Sequence, residues 1–148
     1  MRKRIPLFLF CLITLLFNIS CKKDSSTVSS RSQLLTDGNW TLVFYRYNFN
    51  NGAWNDGYAT LPDCQKDNKL FFNSDLTYIL DEGATKCNSS DPQIFQQGIW
   101  ALIENETKLV TNTTNTVEIV QLDASNLKTI RRDTLGTNIT ITEANYIH

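Results

Sequence analysis

The chain has 148 residues, with 14 Lys/Arg against 15 Asp/Glu, a single His and a formal net charge of −1. A chain so close to neutral, with no basic stripe, argues against a nucleic-acid partner. Its length suits one domain with one modest core rather than several.

The N-terminus is read first. Arg2, Lys3 and Arg4 precede an apolar stretch of about 15 residues, the length of a secretory signal. A membrane-spanning helix needs roughly 20 apolar residues, and Pro6, Thr14 and Asn18 interrupt this one. Cys21 ends the stretch and opens a polar run, Lys22-Lys23-Asp24-Ser25-Ser26. This layout resembles a bacterial lipoprotein signal, which is cut before a cysteine whose thiol then carries lipid. The resemblance implies a signal peptide over 1–20, lipidation at Cys21 and a membrane partner reached through that lipid. With Lys22 rather than Asp after the cysteine, it also implies passage to the outer membrane of a Gram-negative envelope. Asn18 stands where the pattern usually has Leu, so ordinary cleavage without lipid, or an uncleaved anchor, are the alternatives. Cys11 has too little hydrophobic length before it to serve instead.

Residues 21–32 are polar and Ser-rich, the composition of a flexible tether, which leaves 33–148 as the folded domain. Removal of the three basic signal residues takes the net charge from −1 to −4. Cys64 and Cys87 are the cysteines left in that domain. In an oxidising compartment a Cys64–Cys87 disulfide is the default, since no His or further Cys lies near to complete a metal site.

The domain reads as strands in series. Ser32 to Leu35 is briefly helical, and Trp40 to Asn48 is aromatic and β-branched, with bulk on both alternate faces. Phe49 to Pro62 is irregular, with Phe49, Trp54 and Tyr58 set among Asn, Asp and Gly. Lys69 to Phe72 and Leu76 to Asp81 flank a polar turn that suits a hairpin. Ala84 to Pro92 is again irregular and holds Cys87. Gly98–Ile103, Lys108–Thr113, Val117–Leu122, Leu127–Arg132 and Asn138–Tyr146 follow at short turns. Eight strands at roughly ten-residue spacing predict an all-β, antiparallel, up-and-down barrel with a short N-terminal helical turn. A two-sheet sandwich is the structural alternative.

Leu34-Leu35-Thr36-Asp37-Gly38-Asn39-Trp40 resembles the start of a lipocalin, in which a helical turn leads through Gly-x-Trp into the first strand. Downstream, Cys64 with Asp67, Phe72-x-x-Asp75-x-x-Tyr78, Gly83 before Cys87, and Gly98-Ile99-Trp100 are similar to the lipocalin-like domain of small bacterial lipoproteins. The resemblance implies that Gly38 and Trp40 form the fold motif and that Trp40 closes one barrel end. It further implies that a late-strand arginine, Arg131 or Arg132, packs over Trp40; two solvent-facing arginines are the other reading.

No catalytic constellation is visible. His148 is the last residue, where fraying is the rule, and there is no nucleophile elbow, P-loop or dinucleotide fingerprint, hence no cofactor. Asp81-Glu82 would point to opposite faces of a strand and read as a solvated strand end. Asp63, Asp67 and Asp75 lack the spacing of a calcium loop and read as surface acids. Asn-x-Ser/Thr sequons at Asn39, Asn88, Asn105, Asn112 and Asn138 read as by-products of Asn/Thr-rich strands and turns. An eight-stranded barrel has room for side chains or one small ligand. Phe44, Tyr45, Tyr47, Trp54 and Tyr58 are the candidates for its mouth or lid. The expected function is therefore an envelope lipoprotein that holds a small apolar or amphipathic ligand. The alternative is a non-catalytic structural or protein- and glycan-interaction module.

Overall fold

A computed structural model describes residues 30–148. The expected signal peptide, Cys21 and the tether up to residue 29 lie outside the described residues.

The first helix, α1 (Arg31–Thr36), begins earlier than the sequence suggested because Ser30 and Gln33 form a capping box. The Gln33 amide N–H donates to Ser30 Oγ at 3.1 Å, and the Ser30 N–H donates to Gln33 Oε1 at 3.0 Å. Nine strands follow: β1 (Asn39–Phe49), β2 (Asn55–Asp56), β3 (Lys69–Phe72), β4 (Thr77–Asp81), β5 (Ile94–Ile103), β6 (Lys108–Thr111), β7 (Asn115–Leu122), β8 (Asn126–Leu135) and β9 (Asn138–Ile147). One further helical turn, α2 (Asp63–Lys66), sits between β2 and β3.

From β3 onward each strand pairs antiparallel with its successor, and β1 pairs with both β3 and β9. The β1–β9 register runs from Thr41↔Ile147 to Phe49↔Thr140 and closes the sheet on itself. The architecture is thus the expected closed, eight-stranded, lipocalin-like up-and-down barrel, not a sandwich. The short β2 is an addition to the expected set, pairing with β1 only at Arg46 and Tyr47. Closure leaves the principal strands without a free edge.

The two barrel ends differ. One carries α1, the turns at 73–76, 104–107 and 123–125, and His148, and it holds most of the buried core. Leu35, Trp40, Phe72, Trp100, Leu109 and Leu127 are buried there. Phe72 and Trp100 meet edge-to-face at 5.5 Å. Gly38 turns the chain from α1 into β1 with φ +128°, a conformation side-chain-bearing residues avoid. The Trp40 indole N–H, two residues on, then donates to the Leu35 carbonyl at 3.0 Å. The other end is the mouth, formed by the segments 50–68 and 82–93 and the turns at 112–114 and 136–137. A Cys64–Cys87 disulfide, with Cα atoms 5.1 Å apart, ties the two long mouth segments together as expected.

Candidate functional site

Inward-facing side chains are set by the strand register, and in β1 that register contains a bulge. The pairing with β9 shifts between Leu42 and Phe44, so Val43 is the extra residue and stands exposed. Before the bulge Trp40 and Leu42 face inward; after it Tyr45 and Tyr47 do. Simple alternation would have grouped Phe44 with Trp40 and Leu42. Because the side-chain period is two, one inserted residue exchanges the faces of everything beyond it.

The five aromatics expected at the mouth are therefore divided. Tyr45 lines the interior, and its ring lies against the backbone of Gly57, which is buried. Tyr47 stacks above it toward the rim at 5.9 Å, and Phe49 continues the ladder at 5.4 Å. Phe44 and Trp54 do not belong to the mouth interior: they pack on the outside around Arg46. The Arg46 guanidinium stands 4.2 Å from the Trp54 ring centroid and 5.6 Å from that of Phe44. It also pairs with Glu143 at 2.6 Å. Tyr58 lies half-buried in the mouth segment, with the Lys66 ammonium 5.8 Å from its ring.

Arg131 does not pack over Trp40. It is inward-facing but high in the barrel, in a chamber with Tyr45, and its Nε pairs with Asp133 at 2.7 Å. Arg132 is exposed. The position over Trp40 is taken instead by His148, whose ring centroid lies 3.8 Å from that of the indole. The final residue is thus docked rather than frayed.

The barrel holds three hollows that share lining residues. The first, about 450 Å³, lies beneath the disulfide and reaches down to Trp40, with Leu61 and Phe95 above. The second, also about 450 Å³, lies on the Tyr45–Arg131 side, again under Leu61. The third, about 200 Å³, runs from Phe72 and Tyr78 toward Val117 and Thr129. Tyr146 borders all three and acts as the partition between them. Its burial pushes the phenol pKa up from 10.0, with Tyr45 adding to the shift. The residue is half-buried and lines the hollows.

Leu42, Leu61 and Tyr146 were not singled out from the sequence. Tyr146 was legible in principle: Thr142, Ala144 and Tyr146 share one face of β9, and Thr142↔Tyr47 and Ala144↔Tyr45 are cross-strand pairs. Leu61 carried no such signal, since it belongs to an irregular segment.

The carboxylates are dispersed. Asp63 pairs with Lys66 at 2.9 Å on the surface, and Lys66 holds its pKa below the ordinary 3.8. Asp75, at the opposite barrel end, accepts the hydroxyl and the N–H of Thr77. Asp67 takes the N–H groups of Ala84 and Thr85 on Oδ2 and leaves Oδ1 buried without a partner. Among the described residues no three His, Cys, Asp or Glu side chains converge as metal ligands. Asp81 and Glu82 do face opposite ways. Asp81 bonds Gly83 N–H and the Gln93 amide outside, whereas Glu82 is buried at 8% exposure rather than solvated. Glu82 continues the inward alternation of Tyr78 and Leu80 past the end of β4.

The fold and this hollow define a class: a closed, chambered β-barrel capped at one end by α1. No protein-family model matches the chain, and no curated protein matches it significantly.

Proposed function

We propose that the barrel is a binding module for a small hydrophobic or amphipathic ligand, held at the cell envelope by a lipid on Cys21. The observation that carries the ligand reading is the hollow itself. Two compartments of about 450 Å³ open beneath Leu61 and are walled mainly by apolar side chains such as Leu42, Leu70, Leu80 and Tyr146. Small-molecule sites occupy roughly 300–1,000 Å³ and combine apolar walls with a few polar groups. Here the polar groups are Glu82, Gln65 and Asn68 on one side and Arg131 and Thr129 on the other. The role is one of holding rather than converting a molecule, because no nucleophile–base pair lines either chamber.

The anchor rests on the charged and apolar N-terminus that ends at Cys21. The chain enters the barrel at Ser30, beside the packed end. A lipid on Cys21 would therefore tether the barrel by that end. The resemblance to lipocalin-like lipoproteins agrees with both parts of this reading.

Mass spectrometry of the protein purified from its own envelope tests it. A lipid-modified Cys21 and a retained small molecule are expected. An unmodified Cys21 overturns the anchor. The ligand reading falls if the folded barrel neither retains a molecule nor takes up any apolar fluorescent probe.

One observation favours a second reading, an envelope interaction module. Trp54 is 39% exposed and stacks on Arg46, which pairs with Glu143 on the outer wall, while Phe49 at the rim is 58% exposed. Exposed aromatics beside a charged pair suit a protein or glycan contact. Cross-linking in intact cells that captured a neighbour through this face, with an empty barrel, would favour it.

A further inference from the structure

The compartment beneath the disulfide differs from its neighbour in charge. Glu82 lines its wall and is buried, yet its carboxylate receives one hydrogen bond among the described residues, from Cys87 N–H to Oε2 at 3.2 Å. Oε1 receives none, and none of the ion pairs among the described residues involves Glu82. Lys86, the nearest cation along the chain, turns its ammonium to the Asp91 carbonyl at 2.7 Å instead. The other polar residues on this wall are Gln65, Asn68, Asp91 and Tyr146, and no Lys or Arg lines it. Arg131, the cation of the barrel interior, belongs to the other large compartment and is engaged by Asp133.

A largely buried carboxylate without a counter-ion favours a cation with hydrogen-bond donors in the adjoining space. The rest of this compartment is apolar and aromatic, with Leu42, Leu70 and Leu80 leading down to Trp40. We infer that this compartment takes an apolar molecule bearing a protonated amine, with the ammonium on Glu82 and the hydrocarbon directed toward Trp40. The inference rests on the reading of the barrel as a small-ligand module and names the class of ligand.

The test is a three-way titration of the purified full chain with octylamine, octanol and octanoate, followed by Trp fluorescence, since Trp40 lines the chamber. Octylamine is expected to bind about tenfold or more tightly than the other two, as one charge-assisted contact allows. Glu82→Gln should remove that preference, so that octylamine and octanol bind this variant with similar affinity. Equal binding of amine and alcohol, tighter binding of octanoate, or a preference that survives in Glu82→Gln overturns the inference and leaves the ligand module standing. Failure of all three probes overturns the inference, and it overturns the ligand module too when the barrel also retains no molecule and takes up no apolar fluorescent probe. The wild-type comparison decides the matter even where Glu82→Gln does not fold.

Discussion

The imidazole of His148 lies on the indole of Trp40, with ring centroids 3.8 Å apart and planes inclined at 46°. A Cβ on Gly38 would approach the His148 Nδ1 to 2.9 Å, so this closed-end contact also depends on glycine. Trp40 is fully buried and its N–H is satisfied by Leu35. Trp40→Ala should cost about 3–5 kcal/mol in urea unfolding, the usual loss for a large buried aromatic. His148→Ala, which removes an exposed ring and one aromatic contact, should cost about 0.5–1.5 kcal/mol. Equal losses from the two would contradict the division of roles between core and cover.

Leu76 offers the opposite sign. It is 53% exposed and has φ +68°, in the turn between β3 and β4. The left-handed conformation costs an L-residue about 1–2 kcal/mol, and glycine avoids it at some expense in unfolded-state entropy. Leu76→Gly should therefore raise stability by about 0.5–1 kcal/mol, seen as a higher denaturation midpoint at unchanged m-value. Leu76→Val should lower it, because a β-branched residue fits that conformation less well.

The barrel was legible because its strands alternate and its turns are polar, and the cysteine pair announced the link across the mouth. The site was less so, for two local reasons. The bulge at Val43 is invisible to periodicity, and it alone moves Phe44 outside and Tyr45 inside. Irregular segments carry no pattern, so Leu61 overhanging the chambers could not be read. Glu82 illustrates a third case. Its direction followed from alternation with Asp81, but its burial depends on the irregular 82–93 segment, where Cys87 bonds its carboxylate and is tied to Cys64.

Gly57 governs the Tyr45 side of the hollow. Any Cβ there would run into the Tyr45 ring, and the neighbouring Tyr58 N–H is bonded to the Tyr45 carbonyl at 2.9 Å. The backbone is held in place, so the ring must give way, and the space open to it is the Tyr45–Arg131 chamber. Gly57→Ala should cost about 1–3 kcal/mol, as overpacking does, and should weaken uptake of an apolar probe. Loss of stability with unchanged uptake would show that Tyr45 moves elsewhere.

The Cys64–Cys87 link closes a loop of about 24 residues, for which chain entropy gives about 3.4 kcal/mol. The paired Cys64→Ser, Cys87→Ser variant should lose about 2–4 kcal/mol relative to the oxidised protein. Leu61 and Gln65, on the segment that this link fastens, roof the larger chambers. Hydrogen exchange should therefore rise first across 57–68 and 82–93, with the closed end still protected. Titration should find no free thiol at Cys64 or Cys87 in the native protein and two after denaturation and reduction.

Asp123 connects the turn between β7 and β8 to pH. Its Oδ2 accepts the Gln121 side-chain amide at 2.6 Å, and its Oδ1 accepts the N–H groups of Ser125 and Asn126, both at 2.9 Å. These bonds favour the ionised form, Gln121 foremost, and bring the pKa down from 3.8 to about 2. A depressed pKa in the folded state means that the contribution is fully present above the unfolded value of 3.8 and fades as pH falls through about 2. Asp123→Asn keeps the shape but loses the charge and one acceptor. Wild type should be the more stable of the two at pH 6, with the difference shrinking between pH 4 and pH 2. Parallel stability curves across that window would mean that the ionised carboxylate does not hold the turn.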